Sequence, residues 1–285
     1  MADYKLIGKD FSTPDLVAKV TGRAKYAEDF RAEGMLFAKV LSSPMPHARV
    51  SKIDTSEALA MSGVEAILTA DDMPEAEAPN EVGLTNEPLY EGEPVLVVAA
   101  VDEATAAAAI ERIRVDFEPL PFCLDPLDSL RPGGPDARLD GNTVIDGEVT
   151  TVKWTDADFA AAVDGNLPMG ESTDQWEFGD VEAGLADADV VLDETVFHQS
   201  LSHQPLETRT TMAYWQNGKV YVYPSVQSTA RTVGPVARWA GVSQSDVVLV
   251  NEFTGGGFGS KISGYPQLVF PILLSKKAGK PVMMR

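Results

Sequence analysis

The chain has 285 residues, 44% apolar and 23% charged, the composition of a folded globular protein long enough for two domains. Its formal net charge of −20, from 23 basic against 43 acidic residues, argues against a nucleic-acid surface, which needs clustered Lys and Arg. A single cysteine, Cys123, excludes an internal disulfide and any four-cysteine zinc or iron–sulfur site within the chain. The opening MADYKLIGKDF has no apolar signal core and no run approaches ~18 apolar residues, so the expected location is the cytoplasm.

In chain order, residues 1–18 are a mixed polar segment read as surface wrapping. Met35 to Ser42 reads as a strand, and Asp54 and Glu57 are spaced as a capping box ahead of a short helix at Ala58 to Met61, with Gly63 as its stop. Val64 to Thr69 is the next strand and Pro94 to Val101 the one after. Asp102 then caps a helix whose Ala106, Ala109, Ile110 and Ile113 share a face. Arg114 to Glu118 returns as a strand, and the Pro- and Gly-rich stretch from Arg131 to Asn142 is the linker candidate.

Residues 145–178 are acidic and offer at most one short helix. A helix from Gly179 and a strand at Val190 to Phe197 follow. Gln216, Asn217 and Gly218 separate two aromatic-rich β runs, Met212 to Trp215 and Lys219 to Tyr223, which predicts a hairpin. Ser228 to Trp239 is helical in pattern, with Pro235 in its first turns or at a kink and Gly241 as its end. Val247 to Val250 reads as a strand covered on both faces, and Pro266 to Lys277 as a last helix stopped by Gly279.

Immediately after the Val247 strand, Gly255, Gly256, Gly257 and Gly259 remove four side chains within five residues, which permits positive φ and close backbone approach. A phosphate-binding P-loop needs Gly-Lys-Ser/Thr, but Ser260 separates Gly259 from Lys261. A dinucleotide fingerprint needs a third glycine where Ser260 stands. Glycine content alone is equally that of a tight turn with no ligand. Phe258 tips the balance, because a ring adds nothing to turn-making but would cover a flat ligand held by neighbouring N–H groups.

His203 and Glu207 are spaced to share a helix face, but Pro205 between them disfavours a helix and weakens a zinc reading. Both His198 and His203 are expected to be buried and satisfied by backbone partners. Gln227, between a strand and a helix, reads from its neighbours as a helix-entry hydrogen-bonder.

The motif GGGFGSK resembles the GGGFGGK loop of the molybdenum-containing hydroxylases, the xanthine dehydrogenase and aldehyde oxidase family, in the subunit that holds molybdopterin. TGRAKYAEDF at Thr21 to Phe30 is similar to that subunit's opening segment, HQPLETRTTMA at His203 to Ala213 to its His-x-x-(Met/Leu)-Glu segment, and YPSVQSTARTV at Tyr223 to Val233 to the segment with a glutamine beside the metal. The resemblance covers nearly the whole chain. It implies an α/β (α+β) fold: a hammerhead-like α/β domain over residues 1–140, a linker or insertion over 141–178, and the first part of a molybdopterin-binding domain over 179–285.

By the same resemblance, Gln227 donates a hydrogen bond to an oxygen on molybdenum, the loop Gly256, Gly257, Phe258 and Gly259 contacts the cofactor, and Glu207 and Ile262 belong to the substrate pocket, with no direct metal ligand here. An amide suits such a donor because it keeps its charge through turnover. Two departures matter. Xanthine-oxidising members carry a glutamate directly after the loop lysine, where this sequence has a buried aliphatic Ile262, which disfavours purines and leaves an aldehyde, an aromatic acid or another N-heterocycle. The family's general base lies in a segment that this sequence does not contain. The chain is thus expected to be a split half or a fragment, inactive alone. The resemblance then implies a second molybdopterin-subunit chain, iron–sulfur clusters and FAD on other subunits. The alternatives are a non-catalytic assembly subunit that keeps the fold and, more weakly, a generic nucleotide-binding protein.

Overall fold

In the computed structural model the described residues are all except 1–4, 75–82, 138, 146, 163–165, 169–173, 193, 195, 197 and 199. The strands run β1 Leu36–Ser42, β2 Ala48–Asp54, β3 Val64–Leu68, β4 Pro94–Ala100, β5 Arg114–Pro119, β6 Thr143–Ile145, β7 Glu148–Thr150, β8 Thr211–Gln216, β9 Lys219–Pro224, β10 Val247–Leu249 and β11 Val282–Met284. The α-helices are α1 Leu16–Val20, α2 Ser56–Leu59, α3 Glu103–Ile110, α4 Pro126–Leu130, α5 Asp156–Ala161, α6 Val181–Ala186, α7 Thr229–Ala240 and α8 Val269–Ala278. The chain divides into a unit of residues 1–120 and 203–285 and a second unit of residues 121–202.

The first unit is built on a seven-stranded sheet in the order β10-β9-β8-β11-β1-β4-β3. β4 is its most enclosed strand: Val95 to Ala100 are all fully buried, as an uninterrupted apolar run must be when both sheet faces are covered. One face packs under α8, whose Phe270 and Leu274 meet Leu36, Leu68, Val97 and Val282. On the other face, Ala109 of α3 and Ala58 of α2 sit over Ile67, Leu96 and Val98. A third cluster, Val220, Val222, Val236, Tyr265, Leu268 and Ile272, seats α7 and α8 on the hairpin strands.

Local chemistry explains most element ends. Asp102 accepts the Thr105 N–H at 2.7 Å and starts α3. Asn217 and Gly218 both have positive φ, 52° and 77°, as the two-residue β8–β9 turn requires. Ser228 caps α7 by accepting from the Arg231 N–H, and Gly241 and Gly279 end α7 and α8 at φ 68° and 65°. Pro235 sits inside α7, which runs through it unbroken.

Four readings need correction. No capping box forms at Asp54: its carboxylate accepts from the Ser56 N–H and hydroxyl, Glu57 turns to Arg114 instead, and the helix starts at Ser56. β10 is only half-buried, because it is an edge strand with β9 as its one neighbour. β2 and β11 were not expected; β2 pairs with β5 in a separate ribbon, and β11 lies between β8 and β1.

The fourth correction concerns the second unit, which holds α4 to α6 and the small β6–β7 ribbon. The segment Arg131 to Asn142 lies inside it, tied down by Asn142, whose amide donates to the Ser129 and Val152 carbonyls while its oxygen accepts the Val152 N–H. No strand forms at the described residues of Val190 to Phe197. Val190, Leu192 and Val196 are 74%, 78% and 82% exposed, and an apolar β run without a neighbouring ladder has nothing to hold it as a strand. Among the described residues no helix is long and apolar enough to cross a membrane.

Candidate cofactor site

Parallel pairing of β9 and β10 brings their carboxyl ends side by side, so the segment after Pro224 and the loop after Leu249 leave the sheet together. Such a crevice is where α/β sheets take ligands. Ser225 and Val226 are fully buried, and Gln227 then emerges into solvent just before the Ser228 cap. The loop is tethered to it first through Asn251 and Thr254, whose side chains both donate to the Val226 carbonyl at 2.7 Å.

Within the loop, Gly257 to Ser260 form a tight turn. The Ser260 N–H and hydroxyl both donate to the Gly257 carbonyl, at 2.9 and 2.8 Å, so Ser260 closes the turn from within. Phe258 and Gly259 take positive φ, 52° and 103°, the sign pattern of a primed turn. For a bulky residue that conformation is strained by roughly 1–3 kcal/mol. The ring at Phe258 is nevertheless 72% exposed, so burial does not repay the strain. Its edge lies over Gly256.

Gln227 is fixed by this loop. Its Oε1 accepts the N–H groups of Gly259 at 3.0 Å and Lys261 at 3.2 Å, and a Cβ at position 257 would collide with the same amide. Flipping the amide would set its NH2 against two N–H donors, so the orientation follows from the network.

Glu207 grips the other end. Its carboxylate, 9% exposed, accepts the Gly255 N–H at 2.6 Å and the Ala27 N–H at 3.3 Å, and lies 3.7 Å from the Lys261 ammonium. A Cβ on Gly255 would come within 2.5 Å of the Glu207 Cβ, so glycine is needed there for contact. Lys261 is fully buried and donates to the Glu207 carbonyl at 2.6 Å, the Thr208 carbonyl at 3.2 Å and Ser225 Oγ at 2.6 Å. Burial pushes its proton affinity down, against the opposing pull of Glu207. A cleft of about 490 Å³ opens alongside, lined by Tyr26, Glu28, Arg31, Leu206, Glu207 and Gly255.

The sequence-predicted residues thus divide. Gln227, Gly255 to Gly259 and Glu207 come together. Ile262 follows the loop but is 36% exposed, against the expectation of a buried group. His198 and His203 are also exposed, not buried; His203 lies on the surface against Gly259, within 3.5 Å of where a Cβ there would stand. Lys261 is the residue that sequence reasoning missed. Nothing in its local pattern distinguishes a buried lysine from a surface one.

An exposed amide and a backbone-lined glycine turn thus lie together at the carboxyl ends of the parallel strands β9 and β10. Among the described residues no cluster of three or more His, Cys, Asp or Glu could hold a metal ion by itself. Residues 21–121 match the a/b hammerhead domain of aldehyde oxidase and xanthine dehydrogenase, and residues 164–285 match the molybdopterin cofactor-binding domain. The chain belongs to the xanthine dehydrogenase and aldehyde oxidase family of molybdenum hydroxylases.

It is 30% identical to the carbon monoxide dehydrogenase large chain of Hydrogenophaga pseudoflava, over 92% of this chain and 33% of that protein. It is 29% identical to the nicotinate dehydrogenase large molybdopterin subunit of Eubacterium barkeri, over 99% of this chain and 61% of that one. The solved structure of reconstituted CO dehydrogenase from Oligotropha carboxidovorans superposes with a TM-score of 0.74 at 28% identity, over 97% of this chain and 34% of that chain. The chain therefore spans about a third of the length of the carbon monoxide dehydrogenase large chains it matches.

Proposed function

We propose that this chain forms one wall of the cofactor site of a molybdenum hydroxylase that oxidises an aldehyde, aromatic or N-heterocyclic substrate with water as the oxygen source. The observation that carries this reading is the orientation of Gln227. Its oxygen is committed to the Gly259 and Lys261 N–H groups, which leaves the NH2 end to donate outward. The residues fit molybdopterin in a second respect: Gly256 to Gly259 offer bare backbone where a side chain at 257 would displace that donor.

When bound, the molybdenum cofactor supplies the two-electron chemistry of hydroxylation. The protein's part is orientation. Gln227 presents a neutral donor already held in place, so no reorganisation is needed when charge develops opposite it. Phe258 offers an exposed ring against a flat ligand, and Ile262 brings no hydrogen-bonding group, which disfavours purines. Glu207 is fully engaged by Gly255, Ala27 and Lys261 and is a brace, not a proton acceptor.

The general base is accordingly assigned to the remainder of the molybdopterin subunit, on a partner chain or on a further C-terminal part, with iron–sulfur clusters and FAD on further subunits. Native purification from the host, with mass spectrometry of co-purifying chains and analysis for molybdenum and iron, tests this. A stoichiometric complex containing molybdenum is expected, and a metal-free protein without partners would overturn the reading. In the complex, Gln227→Ala should slow turnover by on the order of a hundredfold, the usual loss on removing one preorganised donor.

A further inference from the structure

We infer that Lys261 is the positioning residue of this site: its buried ammonium group joins the Glu207 segment to Ser225, while its backbone fixes Gln227. What this does for a cofactor rests on the function proposed above, but the clamp is a property of the chain itself. A lysine ammonium has three N–H donors. Here they meet three acceptors, the carbonyls of Glu207 and Thr208 and the hydroxyl of Ser225, with the Glu207 carboxylate 3.7 Å away as counter-charge. Simple space-filling does not account for a charge in this place, since an apolar side chain of similar volume would avoid the cost of desolvation.

The connectivity shows what the charge achieves. Glu207 holds the loop at Gly255, and Gln227 holds it at Gly259 and Lys261. The two grips come from segments on either side of the β8–β9 hairpin, and the Lys261 side chain touches both, through Glu207 and Ser225. Fixing one ammonium group therefore fixes both ends of the loop. The other titratable groups packed around it are Arg209, 3.3 Å from the Ser260 carbonyl, and Tyr265, whose hydroxyl donates to the Ser225 carbonyl at 3.2 Å. Burial keeps the Tyr265 phenol neutral well above its ordinary range.

The test uses the full chain, in its native complex where one is isolated, with 13C-labelled lysine and glycine. Following the Lys261 Cε resonance against pH should give a midpoint below the ordinary lysine range. The Cα resonances of Gly255 and Gly259 should shift with the same midpoint, because loosening the ammonium loosens both grips. Glycine resonances that ignore the lysine titration would overturn the proposal.

In Glu207→Gln the lysine midpoint should fall further by about one unit, as expected on loss of an adjacent opposite charge; an unmoved midpoint also counts against the clamp. In Lys261→Met, hydrogen exchange at Gly255 and Gly259 should accelerate roughly tenfold or more while the sheet amides keep their protection. If that variant fails to fold, the wild-type titration still decides. None of these readings depends on molybdenum, so their failure removes the clamp and leaves the cofactor reading to the metal analysis.

Discussion

Gln227 and Lys261 are joined twice: the Gln227 N–H donates to the Lys261 carbonyl at 2.8 Å, and the Lys261 N–H returns to Gln227 Oε1 at 3.2 Å. This exchange welds the strand-to-helix segment to the end of the glycine loop without any regular secondary structure between them. The consequences at neighbouring positions can be measured.

Gly257→Ala should act as a displacement of Gln227. The new methyl would fall on the amide, the mobile end of a long side chain, so the amide yields and the backbone stays. The expected loss of stability is no more than about 1–2 kcal/mol, the worth of the two hydrogen bonds given up. Urea unfolding checks that figure, and turnover of the purified complex should fall about as far as in Gln227→Ala.

Phe258→Gly should stabilise the chain while harming its function. Relief of the left-handed conformation is worth roughly 1–2 kcal/mol, offset by about 0.5–1 kcal/mol of added chain entropy, with little burial lost from an exposed ring. Unfolding midpoints compared between variant and parent give the sign. A destabilised variant would mean that the ring contributes to packing.

The cap of α3 gives a pH signature. The hydrogen bond from the Thr105 backbone holds the Asp102 carboxyl below the ordinary carboxylate value. A carboxyl depressed on folding adds stability above its unfolded value near 3.8, and that contribution disappears as pH falls through the lower folded value. The Tm difference between the parent and Asp102→Ala should therefore be constant near neutrality and shrink in acid. A difference unchanged down to pH 2 would rule this out.

Phe270→Ala should cost about 3–5 kcal/mol, the range for deleting a large buried ring. The side chain is fully buried between α8 and the strands beneath it. Calorimetry or urea titration of the chain provides the measurement.

Much of this was legible locally. The Asn217-Gly218 turn, the Asp102 cap and the glycine stops of α7 and α8 each depend on a few adjacent residues, so the chain states them openly. The described residues of Val190 to Phe197 form no strand for the opposite reason: a strand is a relation between segments, and an apolar run does not say whether a neighbour is present. β11 was missed in the same way, since its partners are β1 and β8, far away in sequence. At the site, the glycines signalled themselves by type, while Gln227 read from its neighbours as a helix-entry hydrogen-bonder and was singled out by the family resemblance. Lys261 did not, because its significance lies in acceptors contributed by Glu207, Thr208 and Ser225.

The place of β11 has a consequence for how the chain comes to be folded at all. Among the described strands it is the one that joins β10-β9-β8 to β1-β4-β3, and it follows the other ten in sequence. Without Val282 to Met284, β8 and β1 would each be left with an open edge in place of their β11 partner. A nascent chain stalled before Val282 holds the makings of both halves without the seam between them, and is exposed to aggregation and to the cell's quality control for as long as the seam is missing.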